Sequence, residues 1–158
     1  MAQPGRLRST VGTAGVARGG LHGHAVDRWS SRGGEGAWTY GSHMRTYSGS
    51  CHCGRVRFEI DAELDHVRVC DCSFCSKRGA LVHRVPPERF RMLSEWSELS
   101  LYEWNTKTAK HYFCKTCGVF PFHRPRTAPE LWGINVRCLE GVDASAIPIK
   151  YVHGSRLS

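Results

Sequence analysis

The chain has 158 residues, is 41% hydrophobic and carries a formal net charge of +8. This length and hydrophobic content suit one domain that builds a core of its own. No run of residues approaches the ~20 consecutive apolar positions of a membrane span, so we expect no membrane partner.

Residues 1–43 differ in composition from the remainder of the chain. They hold ten of the seventeen glycines, five arginines against two acidic residues, and no cysteine, isoleucine or phenylalanine. Such a segment can bury little apolar surface, and it lacks the apolar core of a secretory signal. We expect a disordered Gly/Arg-rich extension, an expression-tag remnant ending in GSHM, or sequence upstream of a true start at Met44. An organelle transit peptide is a weaker alternative, and the folded domain is predicted at 44–158.

The remainder of the chain reads as short strands separated by turns. Val56, Phe58 and Ile60 alternate with polar residues, which is typical of a half-buried strand. Further strands are predicted at 67–69, 80–85, 99–104, 110–113, 119–122, 131–139 and 147–152. Residues 88–93 are predicted to form one helical turn or a short connection. Short strands with turn signals and no long helix predict an all-β domain.

Seven of the eight cysteines fall into three short motifs. These are a CxC motif (Cys51, Cys53), a CxCxxC motif (Cys70, Cys72, Cys75) and a CxxC motif (Cys114, Cys117). Clustered thiols without a signal peptide favour a metal site over a disulfide framework. Soft thiolates in tetrahedral geometry suit Zn²⁺. The glycine after the CxxC motif can accept the positive φ that such turns commonly need.

The spacing of the motifs leaves two ways to divide the sulfurs between metal ions. The simplest division joins the CxC and CxxC motifs in a closed four-sulfur site and leaves the CxCxxC motif with one open position. Alternatively, Cys72 and Cys75 join the CxxC motif in a four-sulfur site of their own. The spacing favours the first division without excluding the second.

The other candidate ligands have simpler explanations. Cys138 follows Ile134 and Val136 on one face of a predicted strand, so we expect a buried, inert thiol. The strand histidines His83 and His111 need no chemical role, and His52 is expected on the surface.

The positive charge suggests a nucleic-acid partner at first sight, but metal-bound cysteines would lower the net charge of the domain. The part of the chain after residue 43 carries about five of the eight charges. If seven thiolates held two Zn²⁺ ions, these sites would add a net charge of about −3. Lysines and arginines are scattered, and no DNA-binding spacing occurs, so nucleic acid is not an expected partner.

Four segments in order carry a family resemblance. They are GSCHCGRVRF at 49–58, CDCSFC at 70–75, FCKTCG at 113–118 and NVRCL at 135–139. Together they resemble the glutathione-dependent formaldehyde-activating enzyme family, which also contains centromere protein V. The resemblance runs from about residue 46 to 153 and implies a compact Mss4-like fold of several short antiparallel strands.

The resemblance also implies two Zn²⁺ ions per chain. A structural zinc is implied on Cys51, Cys53, Cys114 and Cys117. An active-site zinc is implied on Cys70, Cys72 and Cys75, which are then the catalytic residues. Lys77 and Arg78 are candidate contacts for the carboxylates of glutathione, and Ser73 and Asn135 are weaker candidates as donors to the substrate.

The activity implied is that of a carbon–sulfur lyase resembling S-(hydroxymethyl)glutathione synthase. Such an enzyme condenses glutathione, or another thiol, with formaldehyde at the three-cysteine zinc. Its partners are a small-molecule thiol and an aldehyde, and its expected location is cytoplasmic. Two alternatives remain, an enzyme for a different thiol adduct and a noncatalytic zinc-stabilised binding module like centromere protein V. The sequence does not predict an oligomeric state.

Overall fold

A computed structural model describes residues 43–157 of the chain. The expectations for residues 1–42 lie outside this described part. The strands are β1 (Arg45–Ser50), β2 (Arg57–Ala62), β3 (Val67–Cys70), β4 (Val82–Val85), β5 (Phe90–Met92), β6 (Leu99–Tyr102), β7 (Lys110–Cys114), β8 (Phe122–Arg124), β9 (Trp132–Asn135) and β10 (Ile149–Val152). One short helix, α1 (Cys75–Arg78), follows β3.

The strands form two sheets. The smaller sheet has the order β1-β2-β5, and the larger sheet has the order β10-β3-β4-β9-β8-β7-β6. All neighbouring strands are antiparallel except β10, which pairs in parallel with β3. The last strand of the chain therefore lies directly beside the strand that delivers Cys70.

The hydrophobic core joins β2 and β5 of the smaller sheet to β8 and β9 of the larger sheet. Phe58 and Ile60 alternate with polar residues along β2 and are fully buried. The Phe58 ring meets Phe122 of β8 edge-on at a centroid distance of 5.3 Å, and Phe90 of β5 stacks on Trp132 of β9 at 4.5 Å. Such aromatic pairs contribute about 1 kcal/mol each beyond the area that they bury.

The predicted all-β class is confirmed, although individual elements differ. Strand β1 was not predicted, and residues 88–93 include strand β5 after a single 3₁₀ turn at Pro87–Arg89. The strand predicted over 131–139 ends at Asn135, where a 3₁₀ turn begins. The Asn135 side chain stabilises this turn, because its carbonyl oxygen accepts a hydrogen bond from the Arg137 amide at 3.3 Å. No helix in the described part is long and apolar enough to cross a bilayer.

Candidate active site

Two tight turns bring the CxC and CxxC motifs into position. In the first turn, Gly54 donates its amide hydrogen to the Cys51 carbonyl at 3.0 Å. In the second, Gly118 donates to the Cys114 carbonyl at 2.9 Å. Both glycines have a positive φ, 75° and 72°, which a residue with a side chain adopts only at a cost. The glycine after the CxxC motif thus adopts the positive φ that the sequence predicts.

The sulfurs of Cys51, Cys53, Cys114 and Cys117 converge on one point, with all four within 4.8 Å of one another. The Cys53 sulfur lies 3.5 Å from that of Cys51 and 3.6 Å from that of Cys114. Four sulfurs at ~2.3 Å from one zinc ion would be separated by about 3.8 Å in a regular tetrahedron. The donor set and its spacing therefore fit a tetrahedral metal ion.

The pKa values of Cys53 and Cys117 in this four-cysteine cluster are shifted in opposite directions. Despite burial, amide hydrogens of Val119 and Cys53 lower the pKa of Cys117 to about 6. The pKa of Cys53 rises to about 12, because burial and the neighbouring thiols outweigh the hydrogen bond from the backbone of Arg55. A metal cation would remove this conflict by balancing several thiolate charges at once.

Cys70, Cys72 and Cys75 form a second cluster, whose sulfurs also lie within 4.8 Å of one another. Cys70 is the last residue of β3, and Cys75 is the first residue of α1. The Cys75 amide donates to the Cys72 sulfur at 3.4 Å and helps to lower the pKa of Cys72 against the effect of burial. Burial, then the charge of Cys70, raises the pKa of Cys75.

The grouping of the sulfurs follows the first of the two divisions considered above. Cys72 and Cys75 lie with Cys70 and not with the CxxC motif. Within the described residues, no histidine, aspartate or glutamate joins the three-cysteine cluster as a fourth donor. This cluster can therefore hold a metal ion and leave a coordination position for another molecule.

The end of the described chain packs against the three-cysteine cluster, which the sequence reasoning missed. Asp71 accepts a hydrogen bond from the Ser155 amide at 2.8 Å and lies 3.1 Å from Nδ1 of His153. These contacts lower the pKa of the Asp71 carboxyl, the Ser155 amide most strongly. Gly154 lies so close to Cys70 that a Cβ atom there would collide with the Cys70 sulfur.

A cavity of about 140 Å³ opens beside the three-cysteine cluster, and we call it the cysteine cavity. Its floor is formed by members of a row of directly paired residues that crosses five strands of the larger sheet. This row is Tyr102, His111, His123, Gly133 and Arg84. Side chains opposite each other in adjacent strands lie on the same face of a sheet. All members of the row except Tyr102 and Gly133 line the cavity, together with the three cysteines.

Two buried histidines in this floor were not assigned a role from the sequence. The rings of His111 and His123 are nearly parallel, with centroids 5.4 Å apart, and a Cβ atom at Gly133 would collide with the His123 ring. Burial, then the positive charge of Arg78, lowers the pKa of His111 to about 4. Burial, then His111 and Arg84, lowers the pKa of His123 to about 3. Both imidazoles are therefore neutral at pH 7.

The stability of the fold is expected to decrease between pH 7 and pH 5 because of these histidines. The unfolded chain binds protons below the ordinary histidine pKa of ~6.5, whereas folded His111 and His123 stay neutral until about 4 and 3. At pH 5 this difference costs about 2 kcal/mol per histidine. Urea unfolding at both pH values should show a smaller pH effect in His111→Gln and His123→Gln. An unchanged effect would contradict the assigned pKa shifts.

The four residues predicted to contact glutathione differ in whether they line the cysteine cavity. Arg78 lines the cysteine cavity, whereas Ser73 and Lys77 are exposed and do not. Asn135 is occupied by the backbone, because its amide nitrogen donates to the Phe120 carbonyl at 3.0 Å. The structure therefore brings only Arg78 of this set into the cavity beside the three cysteines.

The remaining cysteine and His52 lie outside both clusters. Cys138 is half-buried, 3.8 Å from the Phe120 carbonyl, and burial raises its pKa to about 12. His52 is exposed, as predicted. Cys138 thus has the properties of an unreactive thiol.

Comparison with known proteins places the chain in a family. The family described as glutathione-dependent formaldehyde-activating enzyme matches residues 46–152, which include both cysteine clusters. A crystal structure of a Rhodobacter sphaeroides protein is 41% identical, with a TM-score of 0.61, and the match covers 65% of this chain and 99% of that chain. The resemblance predicted from the cysteine motifs is confirmed. The chain belongs to the glutathione-dependent formaldehyde-activating enzyme family.

Proposed function

We propose that the protein is a zinc-dependent carbon–sulfur lyase resembling S-(hydroxymethyl)glutathione synthase, which joins glutathione, or a related thiol, to formaldehyde. The observation that carries this proposal is the three-cysteine cluster, whose sulfurs converge beside a cavity with no fourth donor from the described residues 43–157. A purely structural zinc site normally has four protein ligands. A cluster with three ligands next to a cavity supports a reactive site.

The donor sets support zinc as the metal at both clusters. Thiolates are soft ligands, and the four-cysteine cluster has sulfur spacings that a tetrahedral zinc ion requires. We assign a structural zinc to this cluster and a second zinc to Cys70, Cys72 and Cys75. A zinc ion at the second cluster would supply a positive centre that lowers the pKa of a thiol bound beside it.

The residues of the cavity position the thiol and the aldehyde. The three cysteines fix the metal at one end, and Arg78 supplies a guanidinium group near the Cys75 sulfur. Phe74 and Phe120 contribute apolar surface to the wall and keep part of the cavity free of bulk water. Ser73 and Lys77 stay predictions, as contacts for parts of the tripeptide that extend beyond the cavity. Asn135 would have to release the Phe120 carbonyl before it could bind substrate.

The proposed location is the cytoplasm, and the proposed partners are small molecules. None of the eight cysteines, all of which lie in the described part of the chain, forms a disulfide, which suits a reducing compartment. The cysteine cavity, at about 140 Å³, is smaller than the ~300 Å³ of typical ligand pockets, so we expect part of a tripeptide thiol to extend beyond it.

The reaction is tested by exchange NMR on zinc-loaded protein with glutathione and formaldehyde. We expect wild-type protein to accelerate adduct formation over the spontaneous rate, and Cys72→Ser to return the rate to the spontaneous value. Cys138→Ser is a matched control, because it removes a half-buried thiol outside both clusters. It should keep the wild-type rate.

The same measurement separates the alternatives. Acceleration with other thiols but not with glutathione would indicate an enzyme for a different thiol adduct. No acceleration with any thiol, in protein that holds both metals, would rule out the lyase and favour a noncatalytic zinc-stabilised binding module.

A further inference from the structure

The cysteine cavity is strongly basic on one side. Four arginines line it, namely Arg68, Arg78, Arg84 and Arg126, and none of the described residues that line it is acidic. The arginine–carboxylate ion pairs of the described part use Arg55 and Arg91 instead. Half-buried guanidinium groups without an ion-paired carboxylate lose hydration that more distant charges replace only in part. Their positive charge is therefore available to an anionic ligand.

Arg68 lies next to Cys70 on one face of the larger sheet, and Arg84 lies on the same face, on the side of Arg68 away from Cys70. Arg68 is two residues before Cys70 on β3, so the two side chains share a face. Arg68 pairs directly with Val82 of β4, and Arg84 is two residues further along that strand. Both guanidinium groups thus line the cavity from the same floor that carries the Cys70 sulfur.

The hydrogen bonds of this arginine pair are incomplete. Arg84 donates one bond, from Nη2 to the Thr127 hydroxyl at 2.9 Å, which fixes its position in the cavity wall. The Nε atom of Arg68 is buried and has no hydrogen-bond partner. Burial, then the charge of Arg68, lowers the pKa of Arg84, and Glu130 and Cys70 offset this effect only in part. An anion bound at the two guanidinium groups would relieve the repulsion between them.

Arg78 is a separate group with a different environment. Its guanidinium carbon lies 4.6 Å from the Phe74 ring centroid and 4.3 Å from that of Phe120. These cation–π contacts hold Arg78 on the aromatic side of the cavity, near Cys75. Arg78 is therefore a basic site distinct from the Arg68–Arg84 pair.

We propose that Arg68 and Arg84 form a carboxylate-binding pair that selects thiols bearing a carboxylate over neutral thiols. The inference rests on the proposed function, because it takes the ligand of the cysteine cavity to be a thiol. Planar guanidinium groups match the two oxygens of a carboxylate, and such charge-assisted bonds are stronger than neutral ones. A carboxylate held by this pair leaves the remainder of the substrate free to extend along the same sheet face toward Cys70.

Two thiols that differ by a single carboxylate provide the test. N-acetylcysteine carries the carboxylate and N-acetylcysteamine lacks it, and both are titrated by NMR into zinc-loaded protein. We expect N-acetylcysteine to bind ~10-fold more tightly or better, as charge-assisted hydrogen bonds imply. Arg84→Gln and Arg68→Gln should remove this preference and leave the affinity for N-acetylcysteamine unchanged. Arg84→Lys should restore part of it.

The exposed Arg137→Gln variant is the matched control, because it removes one positive charge away from the cavity lining. Metal content and thermal unfolding of each variant show whether the fold is retained. Equal affinity of wild-type protein for the two thiols would overturn the inference without any variant. A preference that persists in both Gln variants would also overturn it.

The binding measurement tests the carboxylate-binding pair, and the rate measurement tests the proposed lyase activity. If N-acetylcysteine binds preferentially and neither thiol reacts faster with formaldehyde, the proposed lyase activity fails while the carboxylate-binding pair stands. If both thiols react equally fast and bind equally well, the activity stands and the arginine pair has no role in selection.

Discussion

Cys117→Ser is expected to leave little folded protein. The four-cysteine cluster joins the turn between β1 and β2 to the turn between β7 and β8, about sixty residues further along the chain. A structural zinc site contributes on the order of 10 kcal/mol to folding. Domains of this size are stable by about 5 to 15 kcal/mol in total, so the loss of one ligand threatens the whole fold. Soluble yield, circular dichroism and zinc content measure the effect.

Two further cysteine variants make this prediction specific. Cys72→Ser should lose one zinc ion and keep the fold, because the three-cysteine cluster joins only β3 to the adjoining α1 segment. Cys138→Ser should keep both zinc ions and the wild-type melting temperature within a few degrees. Equal collapse of Cys117→Ser and Cys72→Ser would contradict the division into a structural and a reactive cluster.

Local patterns in the sequence predicted the elements of this fold better than their arrangement. The alternation of Phe58 and Ile60 with polar residues reports burial on one face, and β2 follows directly from it. Strand β5 has three residues, too few for any period to show. The parallel pairing of β10 with β3 joins residues about eighty positions apart, and no local pattern encodes it.

Local sequence patterns also predicted the cysteine motifs of the candidate site better than the residues that surround them. The spacing of the short cysteine motifs favoured one of two possible divisions of the sulfurs, and the structure groups the sulfurs in that way. The cavity floor depends on strand register, which places Arg84 opposite Gly133 and His123 opposite His111. Lys77 is close to Cys75 in sequence but is exposed. Proximity along the chain therefore did not distinguish Lys77 from Arg78, which lines the cavity.

The C-terminal segment lies against the three-cysteine cluster at one small residue, Gly154. The family match ends at residue 152, and Gly154 lies just beyond it. The segment is held in place by Asp71, which bonds to the Ser155 amide and pairs with His153. Because Asp71 lies between two of the cysteines, the segment and the cluster are positioned together.

Gly154→Ala is expected to weaken zinc binding at the three-cysteine cluster by ~10- to 100-fold, in the range found when residues that orient metal ligands are changed. The new methyl group would overlap the Cys70 sulfur and press on Cβ of Cys72 at 3.2 Å, so the sulfurs must move apart. The adduct-forming rate should fall with the zinc occupancy of this cluster.

Competition with a chromophoric chelator measures this affinity, and thermal unfolding shows whether the fold is retained. Gly154 acts here as a positioning residue, so excess zinc should restore much of the lost activity, which a collapsed fold would not allow. Arg156→Ala is the control, because it changes an exposed side chain of the same 3₁₀ turn. Wild-type zinc affinity in Gly154→Ala would show that the segment can move away from Cys70 at little cost, and that it does not position the cluster.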